Sequence, residues 1–107
     1  MITLNSIEEI NDFIKENSLA FIYFSSNNCS VCHALLPKIE ELLKSYPKIK
    51  MGKVEIDNVT MAAGKFSVFT LPCILMFADG KEIIREARFI SIMELEEKVH
   101  KYYNLLT

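Results

Sequence analysis

Leu19-Ala20-Phe21-Ile22-Tyr23-Phe24, a short polar link, and then Cys29-Ser30-Val31-Cys32 form the stretch that decides this chain. The apolar run is short and unbroken, and rich in aromatic and β-branched residues. That pattern suits a strand buried on both faces of a parallel sheet. The residues after the cysteines have helical periodicity, so the two thiols stand at a strand-to-helix junction. Unpaired amides and the positive end of the helix dipole favour an anion at such a helix start, so a thiol ionises more readily there. The Cys-x-x-Cys spacing brings the second thiol one helical turn round, within reach of a mixed disulfide formed by the first. Dithiol redox chemistry is the expected use of such a pair.

Working outward, Val31, Leu35, Ile39, Leu42 and Tyr46 recur at helical spacing, and Pro37 interrupts them with an expected kink. Upstream, Ser6-Ile7-Glu8-Glu9 is a capping-box pattern that opens a helix from about Ile7 to Asn17. Met1 to Leu4 is a candidate strand before it. Downstream, Lys50 to Asp57 reads as a strand with Val54 and Ile56 on one face. Met61 to Phe66 reads as a short helix. Thr70-Leu71-Pro72 breaks the chain before a second buried-strand run, Cys73-Ile74-Leu75-Met76-Phe77. Asp79-Gly80 is a hairpin turn signal, with Lys81 to Ala87 pairing back. A second capping box, Ser91-Ile92-Met93-Glu94, opens a closing helix marked by Ile92, Leu95, Val99 and Tyr102. Early alternation and a late hairpin predict an α/β fold: a mixed central sheet, parallel in its middle, antiparallel at one edge, with helices on both faces.

At 107 residues the chain is expected to form one domain with one modest core. Half of its residues are hydrophobic, which excludes a disordered chain. A formal net charge of −2 offers no basic surface for nucleic acid or an anionic membrane. No apolar run is long enough to span a bilayer. Met1-Ile2-Thr3-Leu4-Asn5 lacks the basic start and long apolar segment of a signal peptide. Three cysteines are too few for a disulfide framework. The expected compartment is therefore the cytoplasm.

With these residues in view, the chain resembles the thioredoxin family over essentially its full length. Pro37 lies five residues after Cys32, where that family carries the proline that kinks its active-site helix. Leu71-Pro72 stands where it has a cis-proline facing the cysteines. Lys53 matches a buried lysine, and Asp79-Gly80 matches the hairpin turn. The resemblance implies a thioredoxin fold and a thiol–disulfide oxidoreductase with Cys29 as nucleophile and Cys32 as resolving thiol. It implies a substrate edge at Leu71, Pro72 and Cys73, no cofactor, protein disulfides as substrates, and an electron donor for which a thioredoxin reductase is the candidate. The chain also departs from the family pattern. Asn28 replaces a tryptophan, Ser30-Val31 replaces Gly-Pro, and Tyr23 replaces a buried acid suspected of relaying protons. Arg88 takes the place of a groove-flanking glycine, and Cys73 follows the proline where threonine is common.

Other readings compete at individual residues. His33, Lys53 and Tyr23 are candidates for proton transfer or tuning of the thiols. Against these stand an exposed helix histidine, a solvated strand-edge lysine and a core aromatic. Cys29, Cys32 and Cys73 offer three thiolates to a metal if the proline loop faces the helix, with His33 or an external thiol as fourth ligand. Cys73 is otherwise a small buried hydrophobe. Cys29-Ser30-Val31-Cys32-His33 also spells a c-type haem attachment motif. A binding or adaptor module that keeps the pair as a redox sensor is the non-enzymatic alternative.

Overall fold

In the computed structural model, which describes residues 1–107, the chain alternates short strands and helices. In order they are β1 (Ile2–Thr3), α1 (Ile7–Glu16), β2 (Leu19–Ser25), α2 (Ser30–Leu43), β3 (Lys50–Glu55), α3 (Met61–Lys65), β4 (Cys73–Ala78), β5 (Lys81–Ala87) and α4 (Ile92–Leu106). Five strands form one sheet in the order β1-β3-β2-β4-β5. β1 and β2 both run parallel to β3, while β4 runs antiparallel to β2 and β5 antiparallel to β4. The expected strand buried on both faces is present, but only one of its edges is parallel. All seven residues of β2 are buried, and β4 supplies its antiparallel neighbour.

The pleat of β2 sorts its side chains into two cores. Leu19, Phe21 and Tyr23 pack with Leu35, Ile39 and Leu42 of α2 and Leu95 and Val99 of α4. Ala20, Ile22 and Phe24 pack with Ile10 and Phe13 of α1 and Ala62 of α3. Two helices therefore cover each face. Gly52, in β3, belongs to the second face, where a Cβ would stand 2.7 Å from Leu4 Cδ1 and 3.2 Å from the Phe13 ring. The absence of a side chain there lets Leu4 and α1 close over the sheet.

Local signals end the elements as the sequence predicts. Ser6 Oγ accepts from the Glu9 amide at 3.0 Å, and Ser91 Oγ accepts from the Glu94 amide at 3.2 Å. Asp79 and Gly80 both have positive φ, 48° and 84°, as a two-residue type I′ hairpin requires. Two C-terminal boundaries differ by more than one residue. α2 ends at Leu43, and Tyr46 is buried from the turn beyond it, against His100 and Tyr103 of α4. β3 ends at Glu55, where the chain turns and Glu55 O accepts from the Asn58 and Val59 amides.

Ile10 and Leu95 are fully buried on opposite faces. Ile10→Ala and Leu95→Ala should each lower the free energy of unfolding by about 2–5 kcal/mol. Because the two sites share no partners, their effects should add within about 0.5 kcal/mol in urea titrations of the double variant.

Candidate active site

The chain leaves β2 at Ser25 and enters α2 at Ser30, with Cys29 as the N-cap residue. Asp57 holds the link between them. Its Oδ2 accepts from Ser26 Oγ and from the Asn27 amide, both at 3.2 Å. His33, one turn into α2, contributes to the same link. Its Nε2 lies 3.1 Å from Asn27 O, and since a carbonyl only accepts, the ring nitrogen carries the hydrogen. His33 is exposed and fastens the loop that leads to Cys29.

Cys29 and Cys32 are joined as a disulfide, with their Cα atoms 5.2 Å apart. The two sulfurs are not equivalent. Cys29 is half-buried at the mouth of the helix, whereas Cys32 is only 1% exposed. Cys29 Sγ also accepts from the Cys32 amide at 3.2 Å, so one of the free donors of the helix start points at the outer sulfur. In the reduced pair that donor and the helix dipole favour negative charge on Cys29.

Beneath the pair, Tyr23 donates its phenol to Cys32 O at 2.7 Å. Burial pushes this phenol up from 10.0 to about 12. It therefore keeps its hydrogen across the neutral range. A group that holds its proton this firmly, and commits it to a backbone carbonyl, is no proton acceptor; it is a strut under the first turn of α2. Pro37 leaves His33 O without its helical donor, so the strut braces the turn next to the break in the ladder.

Lys53 is no solvated edge lysine. It lies on β3, between β1 and β2, opposite Tyr23. Its Nζ pairs with Glu55 Oε1 at 3.0 Å, and Ser25 Oγ donates to that same oxygen at 2.9 Å. Glu55 Oε2 is buried without a hydrogen-bond partner. Sequence reading missed Glu55. The available signal was the Lys-x-Glu spacing, which puts both side chains on one strand face.

Of the two readings of Cys73, the structure supports the small buried hydrophobe over a third active thiol. Cys73 pairs with Phe24 across β2 and β4, and both belong to the α1 face. Cys32 packs on the opposite face, with α2. The sheet separates the Cys73 side chain from the pair, and no three His, Cys, Asp or Glu side chains gather as a metal site. Desolvation raises the Cys73 thiol above its ordinary value, the first of its causes; Arg85 opposes this and Glu82 adds to it.

The Leu71–Pro72 bond is cis. Pro72 is buried, and Pro72 O accepts from the Arg88 amide at 2.9 Å. Leu71 is half-buried and lies outside every helix and strand, and its own amide and carbonyl have no hydrogen-bond partner. Arg85 steadies the preceding loop by donating to Phe66 O at 2.8 Å and Ser67 O at 3.0 Å.

Two outcomes follow from these groups. Cys73 should resist alkylation in the native protein at neutral pH and react once the chain is unfolded, as mass spectrometry of iodoacetamide-treated samples will show. Tyr23→Phe should cost about 1 kcal/mol at neutral pH through the lost bond to Cys32 O. Above pH 10 the unfolded chain releases the tyrosine proton and the native state keeps it, so stability falls as pH rises towards about 12. Tyr23→Phe should flatten that alkaline slope in denaturant titrations.

Comparison with known proteins agrees with this geometry. The thioredoxin family model matches residues 2–101. A thioredoxin-like protein of Bacillus subtilis (strain 168), YdfQ, is 46% identical over 105 residues, which cover 98% of this chain and 94% of that one. The thioredoxin of Chlamydia caviae is 34% identical, over 79% of this chain and 82% of its own. Among solved structures, Fasciola hepatica thioredoxin superposes with a TM-score of 0.86 at 29% identity, covering 94% of this chain and 98% of that one. Plasmodium falciparum thioredoxin shares the fold with a TM-score of 0.87 at 24% identity, over 95% and 99% of the two chains. With its Cys-x-x-Cys pair at the mouth of α2, in a five-stranded mixed sheet, the chain belongs to the thioredoxin family.

Proposed function

We propose that this chain, as one domain over residues 1–107, reduces and exchanges disulfides in other proteins, with Cys29 as nucleophile and Cys32 as resolving thiol. The asymmetry of the pair carries the reading. The outer sulfur holds the helix-start amide bond, and the inner one is buried where only an intramolecular attack reaches it. Cys29 thiolate attacks one sulfur of the substrate disulfide. That bond breaks, and the departing sulfur takes the electron pair and then a proton. Cys32 gives up its proton and attacks Cys29 Sγ, which expels the second substrate thiolate. Two electrons and two protons have then passed to the substrate, and the Cys29–Cys32 disulfide remains.

The unpaired amide and carbonyl of Leu71 are offered as a short edge for an extended peptide, with buried Pro72 as its wall. Cys73 contributes only the start of β4. Tyr23 acts as a positioning residue for Cys32, and His33 for the loop before Cys29. Lys53 with Glu55 is the charged pair on the Tyr23 face and the candidate for proton exchange there. An external dithiol system must return the pair to its reduced form, and a thioredoxin reductase is the donor we propose. The proposed compartment is the cytoplasm, where a reducing thiol pool keeps such a pair cycling. No helix is long and apolar enough to cross a membrane.

Insulin disulfide reduction tests the reading, first with dithiothreitol and then with a thioredoxin reductase as reductant. Acceleration with dithiothreitol is the expected result. Inertness with both would favour a redox-sensing adaptor. With the same substrate, Cys32→Ser should accumulate a mixed disulfide through Cys29, visible as a mass adduct, and Cys29→Ser should accumulate none.

A further inference from the structure

Arg88 adopts a positive φ of 72°, in the left-handed region that suits glycine and strains a long side chain. Strain of this kind persists where the surroundings impose it, and it gathers at working sites. The surroundings here are the active-site end of the sheet. The Arg88 amide is bonded to Pro72 O, and its guanidinium carbon sits 5.7 Å from the centroid of the Phe89 ring. That guanidinium has no carboxylate partner and no hydrogen bond. The ion pairs of the molecule are Lys44–Glu41, Lys53–Glu55, Arg85–Glu82 and Lys98–Glu86. Beside it lies an open hollow of roughly 420 Å3, lined by Val31 and Leu35 of α2 and by Arg88, Phe89, Ile90 and Ser91. Val31, between the two cysteines, is 59% exposed, and Phe89 is 90% exposed.

We propose that Arg88 and Phe89 select the substrate: a protein disulfide whose cysteine is flanked by an apolar side chain, seated against Val31 and Phe89, and by an acidic one, paired with Arg88. The inference rests on the exchange reading above and names the substrate class for that site. Two chemistries of this hollow together call for such an occupant. A bare aromatic and an exposed valine, which the sequence sets between the two cysteines, offer apolar contact, and the stacked, unpaired guanidinium beside them offers a charge that only an anion complements. The net charge of −2 would by itself favour a cationic substrate, so a preference for acid must arise locally.

The probes are disulfide-linked homodimers of capped peptides Xaa-Phe-Cys-Phe-Xaa, with Xaa as Asp, Asn or Lys. The symmetric flanks make the result independent of chain direction. The protein is reduced with dithiothreitol and desalted, and peptide thiol release is followed by chromatography. At low salt the Asp dimer should react about three- to tenfold faster than the Lys dimer, with Asn between them. The ratio should shrink at high salt. Arg88→Gly and Arg88→Gln should each bring it close to one. Arg88→Gly should not lower the melting temperature, since glycine accepts the left-handed backbone. Equal rates for the three dimers in the wild type, or a ratio that survives both variants, would overturn the selection of acidic substrates while leaving the exchange activity standing. Failure to reduce any dimer would overturn the exchange reading and this inference with it.

Discussion

Complete burial of β2 is the constraint on which the rest depends. A strand hidden on both faces must satisfy its backbone from both edges, and it does so with β3 on one side and β4 on the other. Its side chains are then divided by the pleat between two cores, each roofed by two helices. The chain must leave such a strand at the rim of the sheet, and it leaves towards α2 with Cys29 as the cap. The position of the reactive pair is thus a consequence of how the core is closed. The half-exposed outer sulfur and the covered inner one follow from the same geometry, since the first turn of α2 lies down on the sheet.

Tyr23 shows what that framework accommodates at its centre. A carboxylic acid in a buried strand is costly unless it is paired or protonated, and a phenol is much less so. With Tyr23 the position under Cys32 becomes neutral, and its one hydrogen is spent on the carbonyl of the residue it supports. The charge on that face lies instead on the next strand, in Lys53 and Glu55 with Ser25. The group under the thiols is thus a mechanical support, with a charged pair one strand away. The rim changes in a related fashion. Where glycine would relieve the backbone, Arg88 keeps a strained conformation and sets an unpaired cation on the hollow that Val31, between the two cysteines, also lines.

The alternating signals were read correctly because they are local. The capping serines at residues 6 and 91, the apolar run of β2 and the Asp79-Gly80 turn each act through near neighbours in the chain, so the residues themselves report the structure. The positions that the sequence leaves open or misplaces depend on a partner far away in the chain. Tyr46 carries helical periodicity yet sits beyond α2, because its ring is held by α4. Lys53 suits a buried or an edge position until β1 covers its outer side. Cys73 looked close to the active pair because it follows the cis-proline, but closeness along the chain says nothing about which face of a pleated sheet a side chain takes.

By itself the sequence determined the order of elements, the mixed sheet and the placement of two thiols at a helix start. Those properties come from periodicity, turn chemistry and spacing, which operate over a few residues. Packing across the sheet settled whether a third thiol joins that pair and which groups surround it. Cys29 and Cys32 share one turn, but strand register sent Cys73 to the opposite face. Register likewise set Glu55 against Ser25, and brought Arg88 to the carbonyl of Pro72. Pairing between distant strands fixes side-chain faces in steps of a single residue, and that step is invisible until the strands are laid side by side.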